Sequence, residues 1–72
     1  MQRYANLGGG SNVVGYEIGA DWIKVQFGDG SIYPYTYQSA GASNIELMKQ
    51  LAAAGQGLNS FIMRAVRYRY AR

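Results

Sequence analysis

The sequence predicts an α+β fold, in which a three-stranded antiparallel meander (β-β-β) is followed by two helices packed on one face. Three observations predict it. Apolar side chains alternate along segments of the first half, an Asp-Gly pair lies between two of these segments, and apolar residues recur at helical spacing in the second half. A chain of 72 residues suffices for one domain, which buries only about 60 per cent of its unfolded surface.

The strands are predicted from three apolar runs at residues 13–18, 22–27 and 32–37. The middle run alternates most clearly, because Ile23, Val25 and Phe27 fall on one face. Pro34 has no amide hydrogen to donate to a neighbouring strand, so the third strand is expected at the edge of the sheet. Residues 1–10 end in three glycines and are predicted to be a flexible tail that precedes a single domain at residues 11–70.

The loop after the middle strand decides which face carries three tyrosines, Tyr33, Tyr35 and Tyr37. A two-residue loop would pair Phe27 with Ile32 and turn the tyrosines away from the apolar face. A three-residue loop with a bulge would pair Phe27 with Ser31 and move them onto that face, because a one-residue slip exchanges the two faces. We favour the three-residue loop, since a small core needs large rings.

Two helices are predicted in the second half. The first begins at Ser43, where Ser43 and Glu46 fit a capping box, and it ends at Gly55. The second begins at Asn59, with Leu58 and Met63 as a hydrophobic staple. Its core-facing stripe comprises Leu58, Phe61, Ile62, Ala65 and Val66.

The composition argues against catalysis and metal binding. The sequence contains neither cysteine nor histidine, so disulfides, thiolate metal sites and the commonest general base are excluded. Its four acidic residues form no pair at a recognisable spacing. We therefore predict that the protein is not an enzyme and uses no cofactor or metal. Since no apolar run approaches the length of a membrane span, we expect no membrane partner and a cytoplasmic location.

The basic residues are concentrated in residues 64–72, here called the arginine–tyrosine segment. This segment carries four arginines and no acid, whereas residues 1–63 carry three basic and four acidic side chains, a net charge of −1. Arginine suits phosphate oxygens, and a tyrosine ring lets an unpaired base stack on it. The predicted nucleic-acid-binding residues are therefore Arg64, Arg67, Tyr68, Arg69, Tyr70 and Arg72, extended by Lys24. A charged, solvated end that only keeps the domain in solution is the competing interpretation.

The aromatic residues of the sheet form a second candidate surface, which comprises Trp22, Tyr33, Tyr35 and Tyr37. Rings at a spacing of two resemble the stacking platforms of sheet-based RNA readers. In the favoured register, however, Tyr33 and Tyr35 belong to the core, and Trp22 lies on the opposite face.

The order of several short motifs resembles the KTSC domain, a small bacterial domain named for its occurrence at the C-terminus of some lysyl-tRNA synthetases. The matching residues are Ser11-Asn12-Val13, Gly15-Tyr16, Val25-Gln26-Phe27, Gly30, Tyr33-Pro34-Tyr35 and the closing run from Gly57 to Arg64. The resemblance covers about residues 11–70 and departs at residues 38–42, where a small, glycine-containing link replaces a valine-proline entry to the first helix. It implies RNA binding.

Taken together, these features predict a small non-enzymatic module that binds single-stranded or looped RNA. The alternative is a protein-interaction or self-association module that uses the exposed edge strand together with Trp22 and the tyrosine face. A third interpretation is a folded domain that has no dedicated ligand of its own and serves as a spacer or as a phage- or plasmid-borne accessory.

Overall fold

The computed structural model describes residues 1–71. Within this range the elements are β1 (Gln2–Arg3), β2 (Val13–Ile18), β3 (Trp22–Phe27), β4 (Ile32–Thr36), α1 (Tyr37–Ala40), α2 (Ala42–Ala54), α3 (Leu58–Phe61) and a π-helical segment (Ile62–Val66). The strands form one antiparallel sheet in the order β1-β2-β3-β4. The α+β class is confirmed. The predicted count of three strands is wrong, because the described part of the chain forms four.

The additional strand lies in the segment predicted to be a tail. In β1, Gln2 pairs with Tyr16 and Arg3 with Gly15. The next residue, Tyr4, is only 3% exposed, and its hydroxyl accepts a hydrogen bond of 3.2 Å from the amide of Leu58. The following turn is held by a 2.7 Å bond from the amide of Leu7 to the carbonyl of Gly55. A buried ring and backbone hydrogen bonds therefore order residues that carry no strand signal of their own.

The hairpin between β3 and β4 has the predicted three-residue loop. The amide of Phe27 donates to the carbonyl of Ser31 at 2.8 Å, and Gly30 has a φ of 92°, in the region that glycine adopts without strain. Tyr33 therefore pairs with Val25, and Tyr35 with Ile23. The favoured register is confirmed for these two tyrosines, whereas Tyr37 leaves the strand and begins α1.

The position of β4 at the edge of the sheet agrees with the prediction from Pro34. The carbonyl of Pro34 accepts a 2.7 Å hydrogen bond from the amide of Ala71. The arginine–tyrosine segment thus returns to the sheet and lies against this edge strand.

The capping box predicted at Ser43 and Glu46 is wrong. The hydrogen bonds of a capping box form instead between Thr36 and Ser39, at the start of α1. Because α1 has its own turn and ends at Gly41, α2 begins one residue before Ser43. Glu46 accepts hydrogen bonds from Lys49 Nζ at 2.8 Å and from the Tyr37 hydroxyl at 2.5 Å, so its carboxylate links α1 to α2.

The ends of the later helices are set by glycines. Gly55 ends α2 in the left-handed conformation, as predicted. Gly57 is also left-handed, and α3 follows it at Leu58, one residue earlier than the predicted start at Asn59. The backbone of Ile62 is helical, so α3 continues directly into the π-helical segment.

The helices cover one face of the sheet. The buried core is formed by Tyr4, Val13, Tyr16, Ile23, Val25, Phe27, Tyr35, Ala40, Ile45, Met48, Ala52, Leu58, Phe61, Ile62 and Val66. Four of the five residues in the predicted stripe of the last helix belong to it, and Ala65 packs against it. On the opposite face of β3, Lys24 is exposed and Trp22 is half-buried. Over residues 1–71, no helix is long and apolar enough to cross a membrane.

Candidate nucleic-acid interface

A groove of about 360 Å³ opens where the β3–β4 hairpin meets α3 and the arginine–tyrosine segment. We call it the aromatic groove. Its lining residues are Asn12, Phe27, Asp29, Tyr33, Tyr35, Asn59, Met63, Arg67, Tyr68 and Tyr70. Five of these ten side chains are aromatic, so the groove offers flat apolar surface with polar groups at its margins.

The sheet side of the groove is built from packed rings. Phe27 and Tyr33 meet edge to face, with ring centroids 5.7 Å apart. The ring of Tyr70 lies 4.8 Å from that of Tyr33 and 6.4 Å from that of Tyr35. The register of β4 places Tyr33 and Tyr35 on the helix-covered face of the sheet. The ring of Tyr70 then packs against both of these rings. The groove thus has a preformed aromatic wall.

The helix side of the groove was missed by the sequence reasoning. Asn59, Met63 and Arg67 line it, at a spacing of four residues. In a regular α-helix, side chains four residues apart shift progressively around the helix axis, because one turn holds only 3.6 residues. The wider turn of the π-helical segment reduces this shift, and Met63 remains 43% exposed. The four-residue spacing was a signal in the sequence, but it shared the segment with a stronger core stripe.

The arginine–tyrosine segment contributes both charge and a ring. The Arg67 guanidinium lies 5.2 Å from the centroid of the Tyr68 ring, and Tyr68 is 68% exposed. Arg64 lies in the π-helical segment, and its guanidinium is 5.7 Å from the centroid of the Phe61 ring. The amide of Arg69 donates to the carbonyl of Val66 at 2.8 Å, which turns the chain back toward β4. Arg72 lies outside the described residues.

Of the predicted site residues that the structure describes, five do not line the aromatic groove, namely Trp22, Lys24, Tyr37, Arg64 and Arg69. Lys24 and Trp22 are together on the opposite face of the sheet, with Lys24 Nζ 5.3 Å from the centroid of the Trp22 ring. Tyr37 lies at the start of α1, where its hydroxyl bonds to Glu46. This hydrogen bond is the main cause that raises the pKa of Tyr37. The structure therefore brings together Tyr33, Tyr35, Arg67, Tyr68 and Tyr70 in the groove, and the other five described site residues lie outside its lining.

Two polar residues at the hairpin end of the groove were also missed. Asp29 lies in the tip of the β3–β4 loop, and its Oδ1 accepts a 2.9 Å hydrogen bond from the amide of Ser31. This bond is the main cause that lowers the pKa of Asp29, whose carboxylate is ionised at neutral pH, as aspartates ordinarily are. Asn12 lies beside the same loop, because its carbonyl accepts from the amide of Gly28. In the sequence, Asp29 stands out only as part of a tight turn, because its place in the groove depends on tertiary packing.

The wall tyrosine Tyr35 is held in its neutral form. Burial is the main cause that raises its pKa to about 12, and the neighbouring Tyr33 and Tyr70 add to the shift. A folded-state pKa above the unfolded value of about 10 stabilises the protein fully below pH 10. That contribution is lost as the pH rises from about 10 to about 12.

We expect the free energy of unfolding of the wild type to fall between pH 10 and pH 12, with Tyr35 as a principal cause. Denaturant unfolding at several pH values measures this dependence. A Tyr35→Phe variant cannot ionise at this position, so its stability should fall less steeply over the same range. Equal slopes for the two proteins would contradict the assignment to Tyr35.

Residues 1–71 contain no group of three or more acidic, histidine or cysteine side chains placed to hold a metal ion. Comparison with protein-family models, curated proteins and solved structures finds no match to this chain.

Proposed function

We propose that this protein is a small non-enzymatic module that binds single-stranded or looped RNA in the aromatic groove. One observation carries the proposal: Arg67 and Tyr68 of the arginine–tyrosine segment line the same groove as Tyr33 of the sheet. A cation for phosphate and rings for bases are the two elements that proteins combine to bind a single strand. The proposal is consistent with the resemblance to the KTSC domain.

The side chains have different roles in binding according to their exposure. Tyr68 is the most exposed ring and provides the stacking surface at the mouth of the groove. Tyr33 and Tyr70 are half-buried and contact each other. They therefore form a fixed wall against which a base of the bound RNA can pack. Arg64, Arg67, Arg69 and Arg72 neutralise phosphates along the strand. Lys24 lies on the opposite face, so we assign it no part in the groove.

The alternative function, protein interaction through the edge strand, is less well supported. The carbonyl of Pro34 already accepts from Ala71 of the same chain, so an incoming strand would have to displace this contact. Trp22 is half-buried and covered on one side by Lys24. A protein partner would therefore meet a smaller apolar surface there than the sequence suggested.

An NMR titration of labelled protein with a short single-stranded RNA, at low and then at physiological salt, tests the proposal. We expect amide shifts in Tyr33, Asn59, Met63 and residues 67–70 that become smaller as the salt concentration rises, because phosphate contacts release counterions. Amides around Trp22 and Tyr37 serve as the internal control and should not move. The absence of shifts at low salt would contradict RNA binding, and shifts around Trp22 alone would favour the opposite face.

A further inference from the structure

We propose that the aromatic groove selects a guanine base, and that Asp29 is the residue that determines this preference. The inference rests on the proposed binding of single-stranded RNA. Its starting point is a carboxylate in a groove that otherwise suits a polyanion: Asp29 lines the same groove as Arg67. An ionised carboxylate repels phosphate, but besides its turn hydrogen bond to Ser31 it can accept hydrogen bonds from a base.

The two charges lie on different elements and orient the strand. Asp29 belongs to the β3–β4 loop, whereas Arg67 follows the π-helical segment. A phosphate is favoured beside Arg67 and disfavoured beside Asp29, so the base of the bound nucleotide points toward the hairpin. The volume of about 360 Å³ is at the lower end for ligand pockets, which fits one nucleotide rather than several.

The hydrogen-bonding chemistry of Asp29 distinguishes guanine from the other bases. An ionised carboxylate only accepts hydrogen bonds and offers about four lone-pair positions, of which the amide and the side chain of Ser31 use part. Guanine presents two neighbouring donors on its Watson–Crick edge, N1–H and the N2 amino group, which match the two oxygens of a carboxylate. Uracil has one donor between two carbonyls, whereas adenine and cytosine each place one amino group beside a ring acceptor.

The neighbouring groups support a base at this end. Tyr33 is half-buried, and the buried Phe27 holds its ring edge to face with the centroids 5.7 Å apart, so Tyr33 provides a ring beside which a purine can stack. Asn12 and Asn59 line the groove as well, and an amide can both donate to the guanine O6 and accept from an amino group. The hairpin end thus offers stacking surface, acceptors and donors together.

The test uses four heptamers of single-stranded RNA, all uridine except for a central guanosine, adenosine, cytidine or uridine. Binding is measured by fluorescence anisotropy at one fixed salt concentration. For the wild type we expect the guanosine heptamer to bind about tenfold more tightly than the all-uridine heptamer, in the range typical of a bidentate contact. For Asp29→Asn we expect this preference to fall below about twofold, since an amide replaces the paired acceptors.

The variant is suited to the test because asparagine keeps an acceptor for the Ser31 amide and is favoured in such turns. The matched control is Asp21→Asn, which changes the net charge equally at the opposite end of the sheet, in the β2–β3 turn. It should strengthen binding of all four heptamers alike and leave the guanine preference intact. Wild-type binding without base preference, or a preference that survives in Asp29→Asn, would overturn the inference and leave RNA binding in place. Failure of all four heptamers to bind would overturn both proposals.

Discussion

Replacing Tyr4 by alanine is expected to destabilise the protein by about 3 to 5 kcal/mol, the range for removing a large buried ring. Tyr4 is 3% exposed and belongs to the main core. A domain of 72 residues has a total stability of about 4 to 11 kcal/mol. The substitution would therefore remove a large share of the stability and, at the lower end of this range, leave much of the protein unfolded at 25 °C. Denaturant unfolding followed by circular dichroism measures the change.

A second variant separates the ring from its hydroxyl group. Tyr4→Phe keeps the packing but removes the acceptor of the Leu58 amide, which is an orphan donor at the start of α3. We expect a loss of about 1 to 3 kcal/mol and faster hydrogen exchange at the Leu58 amide. This variant stays informative if Tyr4→Ala does not fold.

The matched control is Gln2→Ala, since Gln2 is exposed and pairs through its backbone. Its effect should stay within about 0.5 kcal/mol. If Tyr4→Ala were as mild as this control, residues 1–10 would behave as the flexible tail that their glycines suggest, and the contribution of Tyr4 to the core would be contradicted.

The meander could be predicted because its signals are local. Alternation of Ile23, Val25 and Phe27 defines one strand, and the glycine-flanked loop at residues 28–30 defines the register of the next. Strand β1 could not be predicted, because two residues are too few for alternation. Its order depends on Tyr4 entering the core, where its hydroxyl accepts a hydrogen bond from the amide of Leu58, 54 positions away.

The helix start was predicted wrongly because a capping box forms earlier, at Thr36, where Ser39 takes the place of the usual Glu or Gln. Thr36 and Ser39 form the hydrogen bonds of a capping box, and Gly41 then separates α1 from α2. Glu46 is left to bond with Tyr37 and Lys49. Local pattern gives the type of each element, but the choice between competing caps is made by the tertiary contacts.

Only part of the candidate site could be predicted, because the sequence shows local patterns but not the tertiary contacts that complete the groove. The arginines and tyrosines of residues 64–72 stand out in the sequence, and their chemistry indicates a ligand class. Asp29 and Asn59 do not stand out, because they join the groove only when the hairpin and α3 meet. Lys24 was grouped with the site by its charge, yet strand alternation turns it to the opposite face.

Replacing Arg67, Arg69 and Arg72 together by glutamine is expected to weaken RNA binding about 100-fold at 0.1 M salt. If four arginines contact phosphates, log affinity should fall with log salt at a slope of about −3, because each contact with a single strand contributes about −0.7. With Arg64 alone the slope should be about −0.7. The difference of about two units over the tenfold span from 1 M to 0.1 M salt gives the expected factor.

The fold should not change in this variant, because Arg67 and Arg69 are exposed and glutamine keeps much of the aliphatic stem. The control is the double variant Arg3→Gln with Lys24→Gln, which removes two cations from residues 1–63 outside the groove. Per charge removed, it should change the slope far less than the triple variant. If both variants reduced the slope equally per charge, binding would be spread over the whole surface and would not be centred on the groove.

If the triple variant bound as tightly as the wild type, with an unchanged slope, the arginine–tyrosine segment would have no role in binding. A Trp22→Ala variant would then be the next test, since it removes the ring that a protein partner would use on the opposite face.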